Sequence, residues 1–126
     1  MNKSLTIEGT PKAQKRHKFG KGFVYDPSKK DKIQLLPLLR GRFGSLPSTK
    51  PVSVALAFYM PIPKSYSKKK KDALSGDDVP HIYKPDTDNM IKFYLDCLPF
   101  DDKVAYKVEA EKKYSSRPRV EIVIVY

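Results

Sequence analysis

Between residues 52 and 60 the chain alternates without a break. Val52, Val54, Leu56, Phe58 and Met60 fall on one side of an extended backbone, and Ser53, Ala55, Ala57 and Tyr59 fall on the other. Pro51 and Pro61 bracket the run, so it predicts a strand over 52–60. Residues 4–8 alternate over a shorter span and stop at Gly9. From 104 to 113, Val104, Tyr106, Val108 and Ala110 oppose Lys107, Glu109, Glu111 and Lys113, which predicts a half-solvated antiparallel strand. Ser115-Ser116-Arg117-Pro118 has turn chemistry. Residues 120–126 then return as the second arm of a hairpin, with Val120, Ile122, Ile124 and Tyr126 on one face. Residues 22–25 add a short extended piece.

Helical spacing occurs three times. Residues 28–39 start at a serine and carry Ile33, Leu35, Leu36 and Leu39, with Pro37 as an interruption. Residues 67–74 are lysine-rich and end at Ser75-Gly76, enough for one or two turns. Residues 88–98 make the best helix: Met90, Ile91, Tyr94, Leu95 and Leu98 form a core-facing stripe that Pro99 ends. The sum is an α+β fold, a mostly antiparallel sheet of about four strands with two or three helices packed on one face.

At 126 residues the chain has the size of a single domain spanning 1–126. No apolar run approaches the ~18 residues of a membrane span, and the N-terminus lacks a signal-peptide core, so a soluble cytoplasmic protein is expected. One cysteine, Cys97, excludes an intrachain disulfide and a cysteine-rich zinc site; two histidines, His17 and His81, exclude a histidine-rich one. The formal net charge is +11, and it is uneven. Residues 1–50 carry 12 Lys/Arg against 3 acids, whereas residues 51–126 carry 13 against 11. Such an excess points to a polyanionic partner. Three groups could meet phosphates: Lys12, Lys15, Arg16, Lys18 and Lys21; Lys64 with Lys68, Lys69, Lys70 and Lys71; and Lys112, Lys113 and Arg117.

The chemistry concentrates in Lys84-Pro85-Asp86-Thr87-Asp88-Asn89 and the residues after it. On an extended approach to the helix, Asp86 and Asp88 lie two apart and point the same way. Lys92 follows Asp88 by one helical turn. Two carboxylates beside an ammonium suit a magnesium-dependent phosphodiesterase, because the hard cation takes oxygen ligands and keeps waters for phosphate and nucleophile. A third carboxylate comes from Asp101 or Asp102. Parity with Val104, Tyr106 and Val108 favours Asp102, with Asp101 as the fallback. The bland alternative is that Asp86, Thr87 or Asp88 caps the helix and Asp101-Asp102 is a polar turn.

These residues resemble the RusA family of Holliday junction resolvases. The resemblance runs from Lys84 through Asp86, Asp88, Asn89 and Lys92 to Leu95-Asp96-Cys97-Leu98, then Asp101-Asp102-Lys103-Val104. The flanks agree at residues 11–16, 60–70 and 111–121. It implies a dimeric, Mg2+-dependent endonuclease that resolves four-way DNA junctions by paired symmetric nicks. By position, the catalytic carboxylates fall on Asp86, Asp88 and Asp102, which would also hold the metal, and the catalytic lysine falls on Lys92. Asp96 matches a motif position for which a supporting or packing role is expected. Lys84 joins the DNA-binding set of Lys12, Lys15, Arg16, Lys64, Lys68–Lys71, Lys113 and Arg117. The expected partners are branched DNA and a second copy of the chain, with neither a membrane nor a nucleotide cofactor. Two other readings are a nuclease for flaps or other branches and a non-catalytic basic DNA-binding accessory protein. In this chain only Pro99 and Phe100 separate Leu98 from Asp101, fewer than is usual in the family, so bringing Asp102 back to Asp88 requires an abrupt reversal at Pro99.

Overall fold

A computed structural model describes residues 1–16, 18–20, 22–46 and 49–126. His17 and Lys21 lie outside the described residues. The elements in chain order are β1 (Asn2–Glu8), β2 (Lys18–Gly20), β3 (Phe23–Tyr25), α1 (Lys29–Phe43), β4 (Val52–Pro61), α2 (Lys68–Leu74), α3 (Thr87–Cys97), a 3-10 turn (Asp102–Val104), β5 (Ala105–Ser115) and β6 (Arg119–Val125). β2 and β3 pair as a small antiparallel ribbon. The other four strands form one sheet in the order β1-β6-β4-β5.

The α+β class holds, but the sheet is mixed. β4 lies antiparallel to β6 and parallel to β5. The expected hairpin of residues 104–126 is therefore split: β5 and β6 flank β4 and do not pair with each other. Local turn chemistry at 115–118 was compatible with both arrangements. The deciding factor is β4, whose two backbone edges both need a hydrogen-bonding neighbour once its face is buried. β1 extends the sheet along the edge of β6.

The alternation of β4 is real. Val52, Val54, Leu56, Phe58 and Met60 are all buried, none more than 4% exposed. They meet Val120, Ile122 and Ile124 of β6, Leu39 and Phe43 of α1, and Met90, Phe93, Tyr94 and Cys97 of α3. Burying each large apolar side chain contributes roughly 1.5–3 kcal/mol, so this layer is the main source of stability. The α3 stripe is turned slightly from the one expected: Phe93 and Cys97 are fully buried, while Ile91 and Leu95 are only partly so. Helix α1 runs past Pro37 to Phe43. Pro37 sits on the exposed side, and Leu39 and Phe43, one turn apart, anchor the last turn in the core. Helix α2 buries no residue.

The parity of β5 breaks near its start. Ala105 pairs with Val52 but Lys107 pairs with Ser53, so Tyr106 is an extra residue in a bulge and is 71% exposed. Val104 and Asp102 precede β5 in the 3-10 turn. Counting by twos back from Val108 therefore does not reach Asp102, and the parity argument for choosing it over Asp101 fails.

Candidate active site

The first turn of α3 follows a braced approach. Residues 79–81 run along the free edge of β5: the Tyr114 N–H donates to the Val79 carbonyl at 3.0 Å, and the His81 N–H donates to the Lys112 carbonyl at 2.9 Å. Lys112, on β5, then turns its ammonium onto the loop, donating to the Tyr83 carbonyl and, at 2.7 Å, to the Pro85 carbonyl. Partial burial lowers the Lys112 pKa, and the nearby Asp86 charge opposes that shift. Lys112 therefore serves the loop that carries Asp86, whereas the sequence reading grouped it with the DNA-facing cations.

Asp86 occupies the cap position of α3 in an extended conformation, and its carbonyl accepts from the Met90 N–H at 3.2 Å. Its carboxylate does not cap the helix. Among the described residues, the side chains of Asp86, Asp88 and Lys92 make no hydrogen bond or ion pair, and all three are exposed. The bland capping alternative is thus absent for Asp86. The carboxylate remains available at the end of a helix whose dipole favours negative charge.

Asp86 opens on a cleft of about 780 Å3 that Lys12, Lys15, Arg16, Lys84 and Asn89 also line. Residues 11–16 form its far wall without regular secondary structure. Three of their backbone donors are nonetheless occupied. The Lys12 N–H donates to the Tyr94 hydroxyl at 2.9 Å, the Gln14 N–H to the Asn89 carbonyl at 2.9 Å, and the Lys15 N–H to Ser28 Oγ at 2.8 Å. Ser28 stands at the start of α1, as the sequence suggested, but its hydroxyl holds Lys15 and does not cap its own helix. Lys12 is also 3.9 Å from Asp31. Lys12, Lys15 and Arg16 of the first basic group, with Lys84, therefore share one cleft with Asp86.

The other cations lie elsewhere. Lys64 and Lys71 border a second cleft with Ser115, Ser116 and Pro118, which brings the α2 lysines beside the turn that carries Arg117. Within these groups Arg117 is bound to Glu8 at 2.7 Å, Lys113 to Glu111 at 3.4 Å, and Lys70 lies 3.9 Å over the Tyr66 ring.

Asp101 and Asp102 are placed at the opposite end of α3. Asp101 caps the 3-10 turn through the Lys103 N–H at 3.1 Å, and that bond holds its carboxyl below the usual range. The chain turns back between Leu98 and Ala105, so that α3 and β5 run in opposite directions, and Asp101 and Asp102 stay in that turn without returning along α3 towards Asp88. A residue following an 11-residue helix lies about 18 Å along the axis from one preceding it, at ~1.5 Å per residue. Accordingly, no three His, Cys, Asp or Glu among the described residues gather closely enough to hold a metal. Asp86 and Asp88 by themselves still fit Mg2+ chemically, because that ion is commonly held by one or two carboxylates plus waters and substrate phosphate.

Sequence reasoning missed one polar network behind the cleft. Lys32 of α1 bonds Asp26 at 2.9 Å and Asp96 of α3 at 3.1 Å. Asp26 also accepts from Gln14 Nε2 at 2.7 Å and from the Ser28 N–H at 2.9 Å. Partial burial opposes ionisation of Asp26, but the bonds from Lys32, Ser28 and Gln14 outweigh it and bring its pKa down to about 2. These residues share no motif spacing that could have revealed them; only Asp96 stood out. Cys97 is fully buried, and burial pushes its thiol up to about 11, which leaves it inert.

Among the described residues no helix is long and apolar enough to cross a membrane. The chain is similar to the uncharacterized protein YqaN of Bacillus subtilis (strain 168), at 34% identity over 132 residues covering 95% of this chain and 93% of the relative. The family model for the endodeoxyribonuclease RusA matches residues 8–125, which takes in both walls of the cleft, α3 and every strand after β1. An exposed carboxylate pair beside a basic cleft, carried on a chain that matches this model almost end to end, places the protein in the RusA family of endodeoxyribonucleases, hydrolases that act on Holliday junctions.

Proposed function

We propose that this protein is a Mg2+-dependent resolvase that binds four-way DNA junctions as a homodimer and cuts two strands symmetrically. The observation that carries the reading is the availability of Asp86, Asp88 and Lys92. All three side chains, on the approach and first turns of α3, are exposed and make no hydrogen bond or ion pair among the described residues, and Asp86 opens on a cleft walled by cations.

Asp86 and Asp88 are the proposed Mg2+ ligands. When bound, the ion supplies Lewis-acid polarisation of the phosphate and lowers the pKa of a water. Lys92, one turn beyond Asp88, meets the negative charge that builds on the phosphate oxygens. Lys12, Lys15, Arg16 and Lys84 hold the flanking backbone, and Lys64, Lys68–Lys71, Lys113 and Arg117 take more distant arms of the junction. Hydrolysis adds water oxygen to phosphorus and breaks the bond to the 3′ oxygen, leaving a 5′ phosphate and a 3′ hydroxyl. Asp102 lies a helix length from the Asp86–Asp88 pair of its own chain. Its proposed place in the site is therefore filled by Asp102 of the partner subunit, across a twofold axis that also supplies the second cut.

Mixing inactive subunits tests this reading. Asp88→Asn and Asp102→Asn are each expected to bind a synthetic junction and to lose Mg2+-dependent cleavage. In a shared site, a heterodimer of the two carries both lesions in one centre and leaves the other intact, so the mixture regains single nicking. If Asp88→Asn cuts at the wild-type rate, the assignment is wrong; if the mixture stays inactive while heterodimers form, the shared site is wrong.

A further inference from the structure

We propose that Lys32 is a positioning residue for DNA binding: by bridging Asp26 and Asp96 it holds residues 12–16 as the far wall of the cleft beside Asp86. This rests on the reading of that cleft as the DNA site.

The connection can be followed bond by bond. Asp96 projects from the penultimate residue of α3 and accepts from Lys32 at 3.1 Å. The same ammonium donates to Asp26 Oδ2 at 2.9 Å. The other oxygen of Asp26 accepts from Gln14, inside the wall, and from the Ser28 N–H. Ser28, fully buried, then accepts from the Lys15 N–H. Lys32 is only 14% exposed, so the bridge is shielded from salt more than a surface pair.

Such a tether addresses a physical problem in the wall. Lys12, Lys15 and Arg16 repel one another and the facing Lys84, and no strand ladder holds them. Left to itself, this segment would swing outward to separate its charges. The carboxylates of Asp26 and Asp96 lie behind the wall and supply the opposing attraction. Lys32 keeps those two acids together, because without its cation they would have only each other's charge to face. Ionisation of Asp26 well below neutral pH and a raised Lys32 pKa agree with this arrangement.

The test compares Lys32→Met, Lys32→Arg and Gln14→Ala with wild type in two assays. The first is anisotropy with a labelled four-way junction across a salt series. At ~0.9 per phosphate contact, losing the three wall cations makes the log-log slope shallower by roughly two to three in Lys32→Met. The second is limited trypsin digestion without DNA. Losing a charge-assisted anchor speeds cleavage after residues 12, 15 and 16 by about tenfold, while cleavage elsewhere is unchanged. Lys32→Arg restores both readouts, and Gln14→Ala shifts both in the Lys32→Met direction even if Lys32→Met itself does not fold. Unchanged slope and unchanged trypsin sites in a folded Lys32→Met, or in Gln14→Ala, overturn the proposal and leave an ordinary stabilising ion pair. A wild type that binds junctions without cutting them refutes the hydrolytic reading but leaves both of these readouts intact.

Discussion

Removing one oxygen from the core, by Tyr94→Phe, separates packing from hydrogen bonding in α3. The Tyr94 ring is 2% exposed, tilted against Phe58 at 5.6 Å between centroids and edge-on to Phe93 at 5.0 Å. Phenylalanine keeps all of that. What is lost is the acceptor for the Lys12 N–H at 2.9 Å. The net value of such a bond is about 1 kcal/mol, and a stranded partly buried donor raises the cost, giving about 1–2 kcal/mol. With a urea m-value of roughly 1–3 kcal/mol/M for a chain this small, the midpoint followed by far-UV circular dichroism should fall by ~0.5–1 M at pH 7. The pH dependence gives a second check. Burial pushes the Tyr94 phenol up to about 12, against the smaller opposing effect of the bond from Lys12. The stability it lends is fully present below the unfolded value near 10 and is lost as pH rises through 12. At pH 11 wild type has thus lost about 1.4 kcal/mol that the phenylalanine variant never had, so the gap between them narrows by that amount. A variant equal to wild type at pH 7, or a gap unchanged at pH 11, would refute the role given to this hydroxyl.

Two further outcomes follow from the core and from the network behind the cleft. Asp26, with its pKa brought down to about 2, contributes stability above its unfolded value near 4 and loses it as pH falls through 2. Asp26→Asn should cost up to about 2 kcal/mol at pH 7 and flatten the urea midpoint between pH 4 and pH 2. Phe58→Ala opens a cavity at the middle of β4, where the side chain is 1% exposed. It should cost ~3–5 kcal/mol, read as a large drop in melting temperature.

Much of the fold was legible because its elements follow local rules. β4 alternates, α3 carries an apolar stripe, and β1 and β6 are short and bounded. What escaped the sequence depends on distant partners. No local pattern tells β5 and β6 that β4 lies between them. The bulge at Tyr106 shifts parity by one, and parity is blind to such an insertion. Pro37 stops a helix only where tertiary anchors do not outweigh its local cost, and Leu39 with Phe43 do. For the site, the pair Asp86 and Asp88 stood out from spacing alone. The distance to Asp102 did not, because it depends on α3 and β5 lying side by side in opposite directions. Lys112 and Lys32 read as two more surface lysines. Their roles come from the carbonyls and carboxylates that the fold brings to them.

The place of β4 between two strands that follow it in the chain has a consequence for synthesis. As the polypeptide leaves the ribosome, β4 emerges with both backbone edges unpaired, and they stay so until β5 and β6 appear, although α1 and α3 can already cover its apolar side. Folding must wait for these late, long-range partners, which makes it slow for a chain of this length. In that interval a nascent β4 can pair with its counterpart on a neighbouring chain, so crowded expression favours inclusion bodies and slower translation favours native protein.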